Sequence, residues 1–268
     1  MELTAREVVA RIQADAASRG YPWATETVDT FKAGDPDRAV TGIATSWMAT
    51  SDVIVRAAEA GCNLLVTHEP TFWNHLDRPP TDPDADEVHR AKLDLLDRTG
   101  MTVWRFHDHN HVAFDRDPVL AALFDRLNVG ETTTGRFLDS VSRVPETTLR
   151  GLAESIARSL GTDNVRWIGD ADLPVRAFGL GAHNLDTCRI DDAPVDAILV
   201  GEVREWDTFA YYRDAAALGL GRGLIVISHR DLETWGATAL ANWLAGLVPE
   251  VPVVDVPSPA ALGLIRVE

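Results

Sequence analysis

Short apolar runs alternate with longer amphipathic stretches along nearly the whole chain, and this alternation limits its fold more than any other feature. A buried parallel strand reads as a continuous apolar run, and joining two such strands takes a crossover that is usually a helix, so the pattern selects a layered α/β architecture. Thr4 followed by Glu7 is a capping-box spacing, and Val8, Val9 and Ile12 behind it carry helical periodicity, which predicts an opening helix to about Ser18. A strand over Thr41–Thr45, a helix over Asp52–Ala60 closed by Gly61, and a strand over Asn63–Thr67 then form a βαβ unit. Past Pro79, Pro80 and Pro83, a helix near Asp84–Arg98 stops at Gly100, and Met101–Phe106 is the next apolar strand.

Between Asn128 and Arg136 the chain turns polar and rich in glycine and threonine without periodicity, which marks a domain junction. The expected division is residues 1–130 and 131–268, with the last strand–helix units returning to the first half. In the second half we read a helix near Glu146–Leu160 and strands over Val165–Ile168, Val175–Leu180 and Ala197–Val200. A helix near Thr208–Leu218, a strand over Leu224–Ile227, a helix near Leu232–Leu247 and a strand over Val253–Val256 follow. The expected fold class is α/β, in two layered halves with mostly parallel sheets.

At 268 residues with 46% hydrophobic and 25% charged side chains, the chain has the composition of an ordinary globular protein. Its 41 acidic against 25 basic residues give a net charge of -16, which repels phosphate backbones and anionic lipids, so neither nucleic acid nor membrane is an expected partner. No apolar run approaches the roughly 18 to 20 residues that span a bilayer. The only cysteines, Cys62 and Cys188, stand far apart, which argues against a disulfide framework or a thiolate zinc site and fits a reducing cytoplasm.

The histidines sit where α/β folds bind ligands. His68 and Glu69 follow the run ending at Thr67, His107, His109 and His111 follow the run ending at Phe106, and His229 follows the run ending at Ile227. Three strands thus deliver imidazoles at their carboxyl ends, the edge at which open sheets form binding crevices. His229 and Glu233 are four apart, and a helix beginning early enough lets both chelate one ion. In an extended segment, His107, His109 and His111 would share one face. Histidine and glutamate without thiolate suit zinc, iron(II), manganese or cobalt. So many ligands overfill one catalytic ion and fit two, with Glu233 or Glu69 as a bridge. His75, His89 and His183 read as surface or loop residues.

Several segments resemble a known family. Gly61–Phe72 resembles the "GADLIVTHHPLIF" segment of the Nif-three-like dinuclear metal-binding family, also called GTP cyclohydrolase 1 type 2. Ser228–Glu233 is similar to its "GHxxxE", Val200-Gly201-Glu202 to its "TGE", and Phe178–Gly181 to its "GGSG". His107–His111 falls where the family has "HTNLD", and Asp29–Gly34 echoes "DNxGLQVG". The resemblance implies metal ligands at His68, Glu69, His111, His229 and Glu233. Two of these depart from the family, with glutamate for histidine at Glu69 and histidine for aspartate at His111, so the charge balance of the set is kept. It further implies two halves facing each other across a cleft with two divalent metal ions, assembled as a homohexameric toroid of dimers.

The leading functional expectation is a dinuclear metal-dependent hydrolase of a nucleotide-like or phosphorylated small molecule, with Glu202, His107 or Asp29 moving the proton. A second expectation is a non-catalytic metal-binding or regulatory hexamer. A third takes His107-Asp108-His109 as the H-x-H pair of an amidohydrolase-like or metallo-β-lactamase-like enzyme. The first of these folds wants eight βα units and the second an Asp-His directly after the pair, and neither pattern is met.

Overall fold

The computed structural model describes residues 2–130, 132–133, 140–189 and 195–260. The chain forms two compact units, Met1–Pro118 with Gly236–Pro259 and Val119–Trp235 with Ala260–Glu268.

In the first unit, helix α1 (Ala5–Ser18) starts at a formed capping box, in which Thr4 Oγ1 accepts from the Glu7 amide at 3.3 Å and Glu7 Oε2 accepts from the Thr4 amide at 2.8 Å. Strands β1 (Phe31–Ala33) and β2 (Ile43–Ser46), helix α2 (Ser51–Glu59) and strand β3 (Leu64–Thr67) follow. Helix α3 (Glu87–Thr99) is ended by Gly100 at φ 62°, the left-handed conformation that spares glycine a Cβ clash, and the chain re-enters the sheet as β4 (Thr102–Arg105). A short helix, α4 (Asp108–Val112), caps the carboxyl end of β4.

The second unit opens within α5 (Pro118–Leu127), followed by β5 (Thr132–Thr133), β6 (Val141–Thr148), α6 (Leu149–Leu160), β7 (Arg166–Ile168), β8 (Pro174–Gly181) and β9 (Ala197–Val200). Helix α7 (Ala210–Ala217), strand β10 (Gly223–Val226) and helix α8 (His229–Glu233) complete it. Helix α9 (Trp235–Leu247) and strand β11 (Val253–Asp255) return the chain to the first unit.

The first sheet has the order β1-β4-β3-β2-β11, parallel throughout except for antiparallel β1 at its edge. Alternate residues of its central strands feed two cores. Ile43, Leu64, Val66 and Trp104 pack with α1 and α9, and Ala44, Leu65 and Val103 pack with α2 and α3. A strand buried on both faces has no polar side to show, which is why these runs are continuously apolar. The second sheet has the order β5-β6-β8-β9-β10-β7, with β8, β9 and β10 parallel and the outer pairings antiparallel. α5 and α6 cover one face through Leu120, Leu123, Leu152 and Ile156, and Tyr212 of α7 covers the other.

Several boundaries differ from the sequence reading. The helix expected from Glu146 starts at Leu149, because Thr147 and Thr148 stay extended in β6 and Thr148 Oγ1 caps the helix by accepting from the Gly151 amide at 3.0 Å. The helix expected over Leu232–Leu247 is two helices, α8 and α9. Of the expected junction Asn128–Arg136, residues 131 and 134–136 lie outside the described residues, and Thr132–Thr133 is an edge strand paired to β6. Among the described residues, no helix is long and apolar enough to cross a membrane.

Candidate metal centre

In the first unit the site is built on the ends of β3 and β4. The pairing of β3 with β2 runs on past Thr67 through backbone bonds from His68 to Ser46 and from Glu69 to Trp47, which fixes where these two residues leave the sheet. Both are buried. Arg105, the last residue of β4, is fully buried beside them, with its Nε donating to the His68 carbonyl at 3.0 Å and its Nη1 to the His75 carbonyl. Its Nη2 lies 3.3 Å from Glu69 Oε2, and its Nη1 lies 3.6 Å from Asp77 Oδ2, to which Lys32 Nζ also pairs at 3.3 Å. Asp77 Oδ1 accepts from the amides of Thr71 and Phe72, so the loop after β3 is folded around one guanidinium.

The segment after β4 is helical and not extended, and the cause is Asp29. This buried carboxylate accepts from the amides of His107, Asp108 and His109 at 2.6, 2.9 and 2.8 Å, the donors that a helix start leaves without partners. On a helical turn, residues four apart share a face and residues two apart do not. His107 and His111 therefore point together, whereas His109 turns away, stacked on Trp23 with ring centroids 3.7 Å apart and hydrogen-bonded through Nδ1 to Asp29 at 2.7 Å. The one-face expectation for the three imidazoles is corrected accordingly, and so is the H-x-H pair of His107 and His109.

His68, His107 and His111 form one cluster, with the His68 ring centroid 4.6 Å from that of His107 and 4.8 Å from that of His111. One ligand nitrogen from each lies within 4.8 Å of the others. His111 Nδ1 is 2.7 Å from Asp117 Oδ2, and His107 Nδ1 is 2.9 Å from Asp108 Oδ1. Asp108 is in turn held by the Thr27 hydroxyl and the Val28 amide. Its hydrogen bond to His107 keeps its carboxyl well below the usual carboxylate range, while burial lowers the His107 pKa and favours the neutral ring that metal coordination requires.

In the second unit, Ser228 caps α8 by accepting from the Asp231 amide at 3.0 Å, so that the helix begins at His229 itself. His229 and Glu233 thus lie one turn apart with Nε2 and Oε2 2.7 Å from each other, the convergence that chelation by residues four apart requires. His183 joins them, its ring centroid 4.1 Å from that of His229, and these three residues form the unit's donor cluster. Glu202, after β9, places Oε1 3.5 Å from His229 Nδ1, and its hydrogen bond to His229 lowers its pKa although most of the side chain is exposed. Gly201 makes this approach possible, since a Cβ there would stand 2.9 Å from the His229 Cα.

His68, Glu69, His107 and His111 are thus brought together in one unit, and His229, Glu233 and Glu202 in the other. Asp29 lies in the first unit against the backbone of α4, with both oxygens engaged. The sequence reading missed Arg105, Asp108, Asp117 and His183 and read His89 as a surface or loop residue, whereas it is buried in α3 against Phe72. A legible signal existed for two of them. Arg105 is a cation inside an apolar run, which calls for an anionic partner, and His183 follows β8 as the other histidines follow their strands.

Residues 27–258 match the profile of the family described as Duf34/NIF3 (NGG1p interacting factor 3). The chain is 25% identical over 186 residues to a GTP cyclohydrolase 1 type 2 homolog of Clostridium acetobutylicum, an alignment covering 63% of this chain and 65% of that protein's length. In structure it resembles the hypothetical protein SA1388 of Staphylococcus aureus, with a TM-score of 0.75 at 16% identity over 99% of this chain and 100% of the other. It also resembles a Bacillus cereus protein related to NIF3, with a TM-score of 0.71 at 13% identity over 100% of both chains. These two likenesses concern the fold.

Proposed function

The chain belongs to the Duf34/NIF3 family, and from that premise we propose that it is a dinuclear metal-dependent hydrolase of a nucleotide-like or phosphorylated small molecule. The observation that carries this reading is that each unit gathers a histidine cluster at the carboxyl ends of its strands. The chemistry of the donors fits divalent ions of the zinc, iron, manganese or cobalt type, because imidazole and carboxylate converge there while Cys62 and Cys188 lie buried in apolar clusters. His68, Glu69 and His111 are the proposed ligands in the first unit, and His229 and Glu233 in the second. Ions held there supply Lewis acidity toward a phosphoryl or carbonyl oxygen.

The remaining groups position and move protons. Glu202, exposed and held ionised beside His229, is the proposed proton acceptor. Asp29 serves by fixing the turn that carries His107 and His111. The printed name of the Clostridium relative makes GTP and other nucleotides the first substrates to test. Metal-reconstituted protein is expected to turn over at least one member of a panel of nucleotides and phosphoesters, and His68→Ala to lose that turnover. Equal silence from the two proteins ends the hydrolase reading. The family resemblance also supports a homohexamer, which light scattering on the full chain tests directly.

A further inference from the structure

We propose that His107 is itself a metal ligand, so that the first unit presents three imidazoles, from His68, His107 and His111, to one ion. This rests on the metal-binding reading and extends its ligand set. His107 follows β4 as the N-cap of α4 and His111 lies one turn on, so the backbone sets the spacing of their rings, with centroids 5.2 Å apart. His68 meets both from the end of β3.

The ring of His107 is held in the manner of a ligand. A histidine bound to a metal through one nitrogen commonly donates the other N–H to a carboxylate, which fixes tautomer and orientation. His107 and His111 each have such a partner, Asp108 at 2.9 Å and Asp117 at 2.7 Å, and Asp108 is itself anchored by Thr27 and Val28. The alternative, that His107 only braces Glu69 through a hydrogen bond, does not fit its distance. His107 Nε2 is 3.8 Å from Glu69 Oε1, beyond hydrogen-bond range. Two ligand atoms each about 2.1 Å from one ion stand roughly 3 to 4 Å apart, which that separation matches.

A trio of neutral imidazoles selects borderline-soft cations. Zinc and cobalt suit it, whereas magnesium and calcium prefer oxygen donors. The test is competitive zinc and cobalt(II) titration of the full-length chelator-stripped protein, with metal content by mass spectrometry and the cobalt(II) visible spectrum as readouts. His107→Gln is expected to weaken one of the bound ions at least tenfold and to alter the cobalt spectrum, with the apo fold retained by circular dichroism. Asp108→Asn, which keeps the ring and replaces its carboxylate partner with a neutral amide, is expected to weaken the same ion by about 10- to 100-fold, and it decides the matter if His107→Gln fails to fold. Wild-type affinity and an unchanged cobalt spectrum in the folded variant overturn the assignment. If His68→Ala also retains full metal content, the metal-binding reading itself has failed; if His68→Ala loses metal and His107→Gln does not, only the role of His107 has.

Discussion

Arg105 and Glu69 form an ion pair away from solvent, with the guanidinium side chain fully buried and Nη2 3.3 Å from Oε2. The same guanidinium donates to the carbonyls of His68 and His75, so one side chain sets both the carboxylate and the backbone of the loop that carries His68. Removing one partner of a buried pair leaves the other charge uncompensated, at a cost of about 3–5 kcal/mol. Arg105→Met is therefore expected to lower apo stability by that amount. Arg105→Lys keeps the charge but loses the planar fork, and it should fall between the two. Urea denaturation at neutral pH measures both, and a wild-type midpoint for Arg105→Met would show that the pair carries no such weight.

The Asp29→Asn substitution tests whether α4 depends on its cap. Asparagine retains one acceptor oxygen, but it turns an NH2 group toward amides that need an acceptor. Leaving a buried donor unsatisfied costs about 1–3 kcal/mol. The variant should lose stability in that range, and the amides of His107, Asp108 and His109 should exchange hydrogen faster than in wild type, as NMR would detect. Undiminished protection at those amides would mean that the turn holds without its carboxylate.

β2, β3 and β4 of the first sheet were legible because they are buried on both faces and read as unbroken apolar runs bounded by Gly61 and Gly100. β6 was not, since it lies toward the edge of its sheet with a mixed face, and its polar residues resemble a loop. α5 did carry apolar residues at helical spacing, Val119, Leu120, Leu123 and Leu127, and that pattern was there to be read. At the site, His68, His111 and His229 were visible as donors that follow strands, and Glu233 by its spacing of four from His229. The direction of His109 was not, because it depends on Asp29 arriving from 80 residues upstream. Long-range contacts of that kind leave no local periodicity.

Lys92 gives a pH dependence with a defined sign. It is buried in α3, donates to the Thr71 carbonyl and lies over the rings of Phe72 and Trp73, and burial lowers its pKa from 10.5 to about 8, partly opposed by Asp77. The folded state thus binds the proton more weakly than the unfolded state, so the cost of burying the cation is full below pH 8 and is relieved as the pH rises toward 10.5. That shift corresponds to a destabilisation on the order of 3 kcal/mol. Lys92→Met, which fills similar space and suits an aromatic neighbourhood, should be more stable than wild type at pH 7, with the advantage shrinking between pH 8 and 10.5. Melting curves of the two proteins across this range decide it. A difference that does not vary with pH would mean that Lys92 is not held against its charge.

Gly201→Ala probes the second donor cluster without touching a donor. The added Cβ would stand 2.9 Å from the His229 Cα and 3.3 Å from Leu232 side-chain atoms, and the nearest obstruction is backbone that cannot rotate aside. α8 must then shift away from the end of β9, carrying His229 and Glu233 with it, because both belong to that one short helix. Overpacking of this kind costs about 1–3 kcal/mol. The same displacement should lengthen the 3.5 Å approach of Glu202 to His229. The expected result is a lower melting temperature together with weaker binding of one zinc ion per chain, measured by competition with a chromophoric chelator. Lower stability with wild-type zinc affinity would show that the position of α8 does not govern metal binding.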